Sequence, residues 1–568
     1  MSQNSPATAS TQLSQLLDDF WEWQMRYYPT WATYMGDKRY DSLLTDISPQ
    51  ARSAAEVTTR EYLAKANQID RSVLTSEEQV SLDMFRGRLQ ESIDNEPFKD
   101  YTMPVSQQDG PHHMLPQLVG TMDFSTAQDY DNFEKRLRAF PKYVNYTVED
   151  MREGIGLGIM AARVNIEPVS TQIAALIEQD YKKSIFYTPL RENKAGSPAA
   201  ELKKFDKRYE DAIINQVNSA LRFLDNFIKI EYLPRCRQQI GVVALPDGKA
   251  RYLALIKQHT TLPLSPEEIT EMGYADLEWI HAAMDSVMKS IGWTGTRQQF
   301  FDHLHTNPEF YYADADSLVS RYESILRGME ARLPELFGRL PKAPCEIKVI
   351  EPFRSADATT AFYSGPAEDG SRPGQYYVNT YALDQRPKYE MEALSYHESV
   401  PGHHLQIAIA QELEGLPKFR KNTWVTAFGE GWALYSERLP KEVGFYKDPY
   451  SEFGRLIYEA WRACRLVVDV GIHYFGWDRE TAITFMKVNY GGTDHNIAKE
   501  VDRYIASPGQ ALGYKIGQLK ILELRKRAEK AMGTSFDIRA FHDRVLESGC
   551  IPLNVLEAKI DAWIASQE

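Results

Sequence analysis

Apolar residues recur at helical spacing along almost the whole chain, and this pattern limits the fold more than any other feature. Segment 11–28, TQLSQLLDDFWEWQMRYY, shows it first, and 127–148, 199–231, 266–291, 316–337 and 515–532 repeat it. Pro/Gly joints such as GSPAA (196–200) and RLPKAP (339–344) fall between such runs. Residues 345–385 break the rule. CEIKVIEP alternates apolar and polar residues, and AFYSGPAEDGSRPGQYYVNTYAL sets Glu-Asp-Gly and Pro-Gly turn chemistry between two aromatic, β-branched runs. The expected fold is therefore mainly α, with a small antiparallel β-sheet. At 568 residues the chain is too long for one core. The expected division is a helical domain over 1–340 and a mixed domain over 341–568. An edge of the sheet could hold an extended peptide through main-chain hydrogen bonds, or the strands could form an ordinary structural hairpin.

Composition narrows the function. With 43% hydrophobic and 25% charged residues, the chain is that of a soluble globular protein. A net charge of −14 argues against a nucleic-acid partner, because phosphate binding needs a basic surface. No apolar run reaches the ~18 residues a membrane span needs. The N-terminal stretch has no basic-then-apolar export signal, so the expected compartment is the cytoplasm, a removed signal aside. Cys236, Cys345, Cys464 and Cys550 lack CxxC spacing, which speaks against a zinc knuckle or a disulfide framework.

Directly after the β-rich segment comes SYHESVPGHHLQIAIAQE, 395–412. His397-Glu398 begins like the zinc-binding helix of a metallopeptidase, but Pro401 stands where the second histidine belongs. On a straight helix His403 would sit roughly 240° round from His397, and His404 would lie about 10 Å further along the axis. Pro401 removes the N–H that would bond the His397 carbonyl, and Gly402 tolerates unusual backbone shapes. The helix must break here, and a break can return His403 to the side of His397. His403 is the better second ligand and His404 the reserve. Glu398 is placed to be the general base toward a water acidified by the metal.

A catalytic zinc often takes a carboxylate as third ligand. TAFGEGWALYSERL (426–439) offers Glu430 between two glycines, with Glu437 near the same helical face. Glu437 could orient a ligand histidine, or it could sit on a solvated face. RACRLVVDVGIHYFGW places Asp469 and His473 one turn apart, either as an oxyanion donor with its orienting carboxylate or as a buried structural pair. EVDRYIASPGQALGYKIGQ (500–518) adds Tyr504 and Tyr514 as candidate oxyanion donors.

YHESVPGHHLQ, FGEGWALYSE, RLVVDVGIH and RYIASPGQALGYKIG, with DGSRPGQYYVNT and PTWATYMGDKRYD, resemble in order the signature blocks of the bacterial domain-of-unknown-function family 885. The resemblance covers residues from about 15 to 560. Members are regarded as candidate zinc metallopeptidases, distantly similar to helical, clam-shaped gluzincins whose third ligand is a glutamate on a later helix. The family pattern His-Glu-x-x-Pro-Gly-His favours His403. The resemblance implies a two-lobed clam and a zinc hydrolase acting on short peptides. Its ligands would be His397, His403 and Glu430, its base Glu398, and its oxyanion donor His473 or Tyr514. The rival readings are a hydrolase of another amide or ester, and a non-catalytic peptide-binding protein built on a degraded fold.

Overall fold

The computed structural model describes residues 6–567 apart from 194, 195, 197, 352–354, 356–358, 368, 369 and 371. Helices dominate, and each segment with helical spacing forms helix, among them Pro6–Tyr27, Ala127–Leu157, Pro266–Ser290, Ala315–Glu330 and Leu512–Met532. No helix among the described residues is long and apolar enough to cross a membrane. The four cysteines are buried and free.

The chain divides into two compact units at Arg251/Tyr252 rather than near residue 340. The physical reason is helix Pro266–Ser290, which packs along helix Pro449–His473 and so joins the second unit. In the first unit, helix Ala127–Leu157 starts from a capping box at Thr126 and Asp129. It buries Phe133, Leu137, Phe140, Val144 and Val148 at steps of three and four residues.

The second unit carries the sheet: β1 (Cys345–Val349), β2 (Ala361–Ser364) and β3 (Gly374–Val378), in the order β1-β3-β2. β2 and β3 form the expected antiparallel hairpin, with Phe362 opposite Tyr377 and their rings stacked 4.5 Å apart. The sheet is mixed rather than wholly antiparallel. β1 adds to the free side of β3 and runs parallel to it, Cys345 opposite Gly374 and Val349 opposite Val378. A hairpin has two open edges, and β1 takes that of β3, which its connection to β2 is long enough to allow by crossing the sheet. Within the predicted Glu-Asp-Gly turn, Glu368 and Asp369 lie outside the described residues, while Gly370 takes φ +72°.

Helix Pro449–His473 is buried on nearly every side. Its apolar residues are interrupted by Glu452, Arg455, Glu459, Arg462, Arg465, Asp469 and His473, spaced three or four apart and each at most 9% exposed. A stripe of charge inside a protein is tolerable only with partners. Arg455 reaches Glu452 at 2.8 Å and Glu459 at 3.2 Å. Buried Lys515 binds Glu459, Asp276 (2.8 Å) and Gln518 (2.7 Å). The stripe faces the elements that carry the His-Glu motif.

Candidate metal centre

The His-Glu helix, Met391–Glu398, stops at Ser399, and a second helix, His403–Gln411, starts three residues after Val400. The break falls where Pro401 cannot donate to the His397 carbonyl; the Val400–Pro401 peptide is cis. Gly402 is required by closeness, not by φ. A Cβ there would lie 2.0 Å from the His397 carbonyl oxygen and 2.4 Å from that of Tyr396, so only glycine lets the chain fold back over the last turn. The Pro401 carbonyl accepts hydrogen bonds from Trp432 Nε1 (2.9 Å) and Ser436 Oγ (3.2 Å). Both donors belong to helix Thr426–Ser436, which also carries Glu430. The break is thus fastened to the helix that bears the third candidate ligand.

That helix is itself held close to Leu512–Met532. A Cβ on Gly431 would stand 2.4 Å from the Gly517 Cα, so the two glycines let the helix backbones touch. The glycine after Glu430 therefore serves helix packing.

His397, His403 and Glu430 converge, one ligand atom from each lying within 4.8 Å of the others. Glu430 Oε2 is 3.5 Å from His397 Nε2 and 3.5 Å from His403 Nε2. A tetrahedral ion with ligand bonds of 2.0–2.1 Å sets its ligand atoms about 3.4 Å apart. Glu430 Oε2 is buried and has no hydrogen-bond partner in the protein. Two imidazole nitrogens and an orphan carboxylate oxygen, at that spacing, fit a divalent cation. The two histidine rings stand nearly perpendicular, 86°, with centroids 4.8 Å apart.

His397 Nδ1 pairs with Glu437 Oε1 at 2.8 Å, which aims Nε2 at Glu430. Glu437 is fully buried, with Arg462 Nη2 3.5 Å from the same oxygen. Burial pushes the His397 pKa down, but Glu430 and Glu437 outweigh it and raise it to about 9. Burial raises Glu430, yet the two histidines hold it well below the usual carboxylate range.

His404, the next residue, turns the other way. Its Nδ1 accepts from Tyr363 Oη on β2 (2.8 Å), and its Nε2 donates to the Ala343 carbonyl (3.0 Å). With both nitrogens engaged and burial lowering its pKa to about 4, it anchors the helix to the sheet as a neutral ring.

Glu398 is half-buried at the end of its helix, close enough for its charge to act on His397. The Tyr514 ring lies parallel to His397, 6.4 Å between centroids. Tyr504 does not join the cluster: its hydroxyl accepts from Trp461 Nε1 and Arg465 Nε, each at 3.0 Å. His473 is fully buried elsewhere on the long helix, with Nε2 2.9 Å from the Tyr504 carbonyl. Asp469 takes the Tyr252 hydroxyl (2.6 Å) and the Gly509 N–H (3.0 Å). Burial raises Asp469 to about 7 against those two bonds. Arg462 and Arg465 are neighbours of the site that motif reading does not single out. Their signal is the three-to-four spacing of charge through a strongly apolar helix.

A profile of a family described as bacterial protein of unknown function, DUF885, matches residues 29–560. A candidate lipoprotein from Colwellia psychrerythraea superposes with a TM-score of 0.92 at 27% identity, covering 99% of this chain and 100% of its own. A candidate lipoprotein of unknown function from Shewanella oneidensis gives 0.76 at 18%, covering 96% and 99%, a likeness of fold alone. A candidate oligoendopeptidase F from Bacillus anthracis reaches only 0.30 at 12%, too little to carry an argument. No curated protein matches.

Proposed function

The chain belongs to the DUF885 family of bacterial proteins of unknown function, and from that premise we propose that it is a zinc-dependent hydrolase cleaving short peptides. The observation that carries this reading is the buried, unpartnered Glu430 Oε2 standing 3.5 Å from both His397 Nε2 and His403 Nε2, with Glu398 adjacent in sequence. His397, His403 and Glu430 would hold the cation. When bound, zinc supplies Lewis acidity, lowering the pKa of water and polarising a carbonyl.

The chain's own groups do the rest. Glu398 takes the proton of the attacking water as its oxygen bonds to the peptide carbonyl carbon. The same carboxyl then passes that proton to the departing nitrogen as the C–N bond breaks, leaving a carboxylic acid and an amine, and the acid's own proton, the second of the water's two, then moves to the amine. Tyr514, whose ring lies 6.4 Å from that of His397, would donate to the oxygen that gains charge. His473 is given no role in the chemistry, because its ring is buried against the Tyr504 carbonyl. Glu437 fixes the His397 tautomer through Nδ1.

The test is metal content by mass spectrometry on untagged protein, beside cleavage of a peptide library by wild type and Glu398→Gln. The expected result is about one zinc per chain in both proteins, and cleavage lowered about 10²- to 10⁴-fold in the variant. A wild type that takes up no zinc, or a variant that cleaves as well as wild type, ends the proposal.

A further inference from the structure

Beside the metal centre lie two arginines, one with a buried donor left unpaired, that the mechanism leaves unused. Arg465 and Arg503 share one carboxylate, Glu500. Arg465 Nη2 is 3.2 Å from Glu500 Oε2, while Arg503 Nη2 is 2.9 Å from the same atom and its Nε 3.2 Å from Oε1. The remaining contacts are neutral. Arg465 Nε meets the Tyr504 hydroxyl (3.0 Å), and Arg503 Nη1 meets Gln510 Oε1 (2.8 Å). Arg465 Nη1 is buried without a partner, in a residue only 3% exposed. Asp469 is within reach of both guanidinium charges, but its oxygens are occupied by Tyr252 and Gly509. Arg462 is drawn to Glu437. Arg465 Nη1 is thus a charged donor left unsatisfied in a desolvated place, which is costly unless an acceptor joins it.

The location gives that charge a use. The Arg465 guanidinium lies 4.2 Å from the Tyr514 ring centroid, and the nearly parallel His397 ring lies 6.4 Å from the same centroid. Arg465 and a candidate metal ligand therefore share one aromatic neighbour. Arg503 is the approachable member, its side chain 21% exposed. Its Nε–Nη2 edge already holds Glu500, and the Nη1–Nη2 end of the same planar group can present two parallel hydrogen bonds to a second carboxylate.

We propose that Arg503, backed by Arg465, anchors the free C-terminal carboxylate of the peptide, so that the site trims peptides from their C-terminal end. The proposal rests on the peptidase reading above. A terminus one or two residues beyond the cleaved bond spans the width of one side chain, since successive Cα atoms are about 3.8 Å apart.

The experiment uses zinc-loaded Glu398→Gln protein, so that peptides bind without turnover. A panel of N-blocked dipeptides is titrated calorimetrically in three forms: free acid, C-terminal amide, and amide with a glutamate side chain as the sole carboxylate. The free acids are expected to bind about 10- to 100-fold tighter than their amides, the usual worth of a charge-assisted bond. Arg503→Gln should erase most of that difference at unchanged zinc content. Arg465→Lys, which keeps the charge but loses the fork, should erase part of it. Equal binding of acids and amides overturns the proposal, as does no binding by any free acid, or an acid preference that survives Arg503→Gln. Glutamyl amides binding as tightly as free acids would make the anchor a reader of acidic side chains and end the C-terminal claim. An acid preference intact in binding, while wild type cleaves none of the panel, leaves the anchor standing and tells against the peptidase reading instead.

Discussion

Two knots of buried ionisable groups lie in the second unit, and they are built on opposite principles. Around Asp469 the polar atoms meet protein partners: Tyr252 and Gly509 hold the carboxylate, and the Tyr504 carbonyl holds His473. Around Glu430 they do not. Glu430 Oε2 and His403 Nδ1 are buried with no protein hydrogen bond, and the ligand atoms gather at 3.5 Å, too long for good hydrogen bonds and right for ligands of one ion. An unpaired buried polar group costs about 1–3 kcal/mol. On the proposed reading, the unpaired Glu430 oxygen is one that a bound cation would satisfy. The same residue types, His and a carboxylate, then carry different meanings. Completeness of pairing tells them apart.

The sharpest way to break the comparison is the adjacent pair His403 and His404. His403→Ala should take zinc from about one per chain to near none, while His404→Ala should keep it and lose thermal stability. The reverse pattern, read by mass spectrometry, would exchange their roles. The next effect is in catalysis. Tyr514→Phe should lower kcat about 10²- to 10³-fold with zinc retained and KM little changed, whereas His473→Gln should move kcat only a few-fold. Steady-state kinetics on any peptide substrate found would separate them, and equal losses would erase the contrast between the knots. A smaller effect belongs to Glu437→Gln, which leaves the ligands intact but slackens His397. Chelator competition should show zinc held about 10- to 100-fold more weakly.

The smallest effect sits in the satisfied knot and concerns pH. Burial raises the Asp469 pKa from the ordinary 3.8 to about 7, so between those values the folded protein binds a proton that the unfolded chain does not. Stability from this group is therefore full below about pH 4 and is lost as pH rises through 7. Asp469→Asn removes the dependence. Its melting-temperature gap to wild type should shift between pH 5 and pH 8, with wild type losing on the order of 1–2 kcal/mol relative to the variant at the higher pH. A constant gap would place the titration elsewhere.

Much of this was legible in the sequence, for physical reasons that can be named. The helices follow apolar spacing because burial of one face fixes them, as at Pro266–Ser290 and Leu512–Met532. The return of His403 to His397 follows from what Pro401 cannot donate. What escaped was set by tertiary contacts. That β1 runs parallel to β3 depends on which edge of the hairpin β1 takes. The boundary at Arg251 depends on which helix Pro266–Ser290 chose as neighbour. Tyr504 and Tyr514 look alike in sequence and are separated only by the donors, Trp461 and Arg465, that occupy one hydroxyl. Arg462 and Arg465 were hidden because a charged stripe on a helix ordinarily means solvent, and here it faces inward.

That inward stripe has a consequence for anyone who would engineer or diversify this protein. Replacing buried ion pairs with apolar side chains of similar volume is often neutral or stabilising. Helix Pro449–His473 therefore offers the obvious targets for hardening the protein against heat. Yet Arg462, Arg465, Asp469 and their partners run from Glu437 to the Tyr514 ring. Selection for robustness alone would erode this helix first, and the sturdier descendants would be the idle ones.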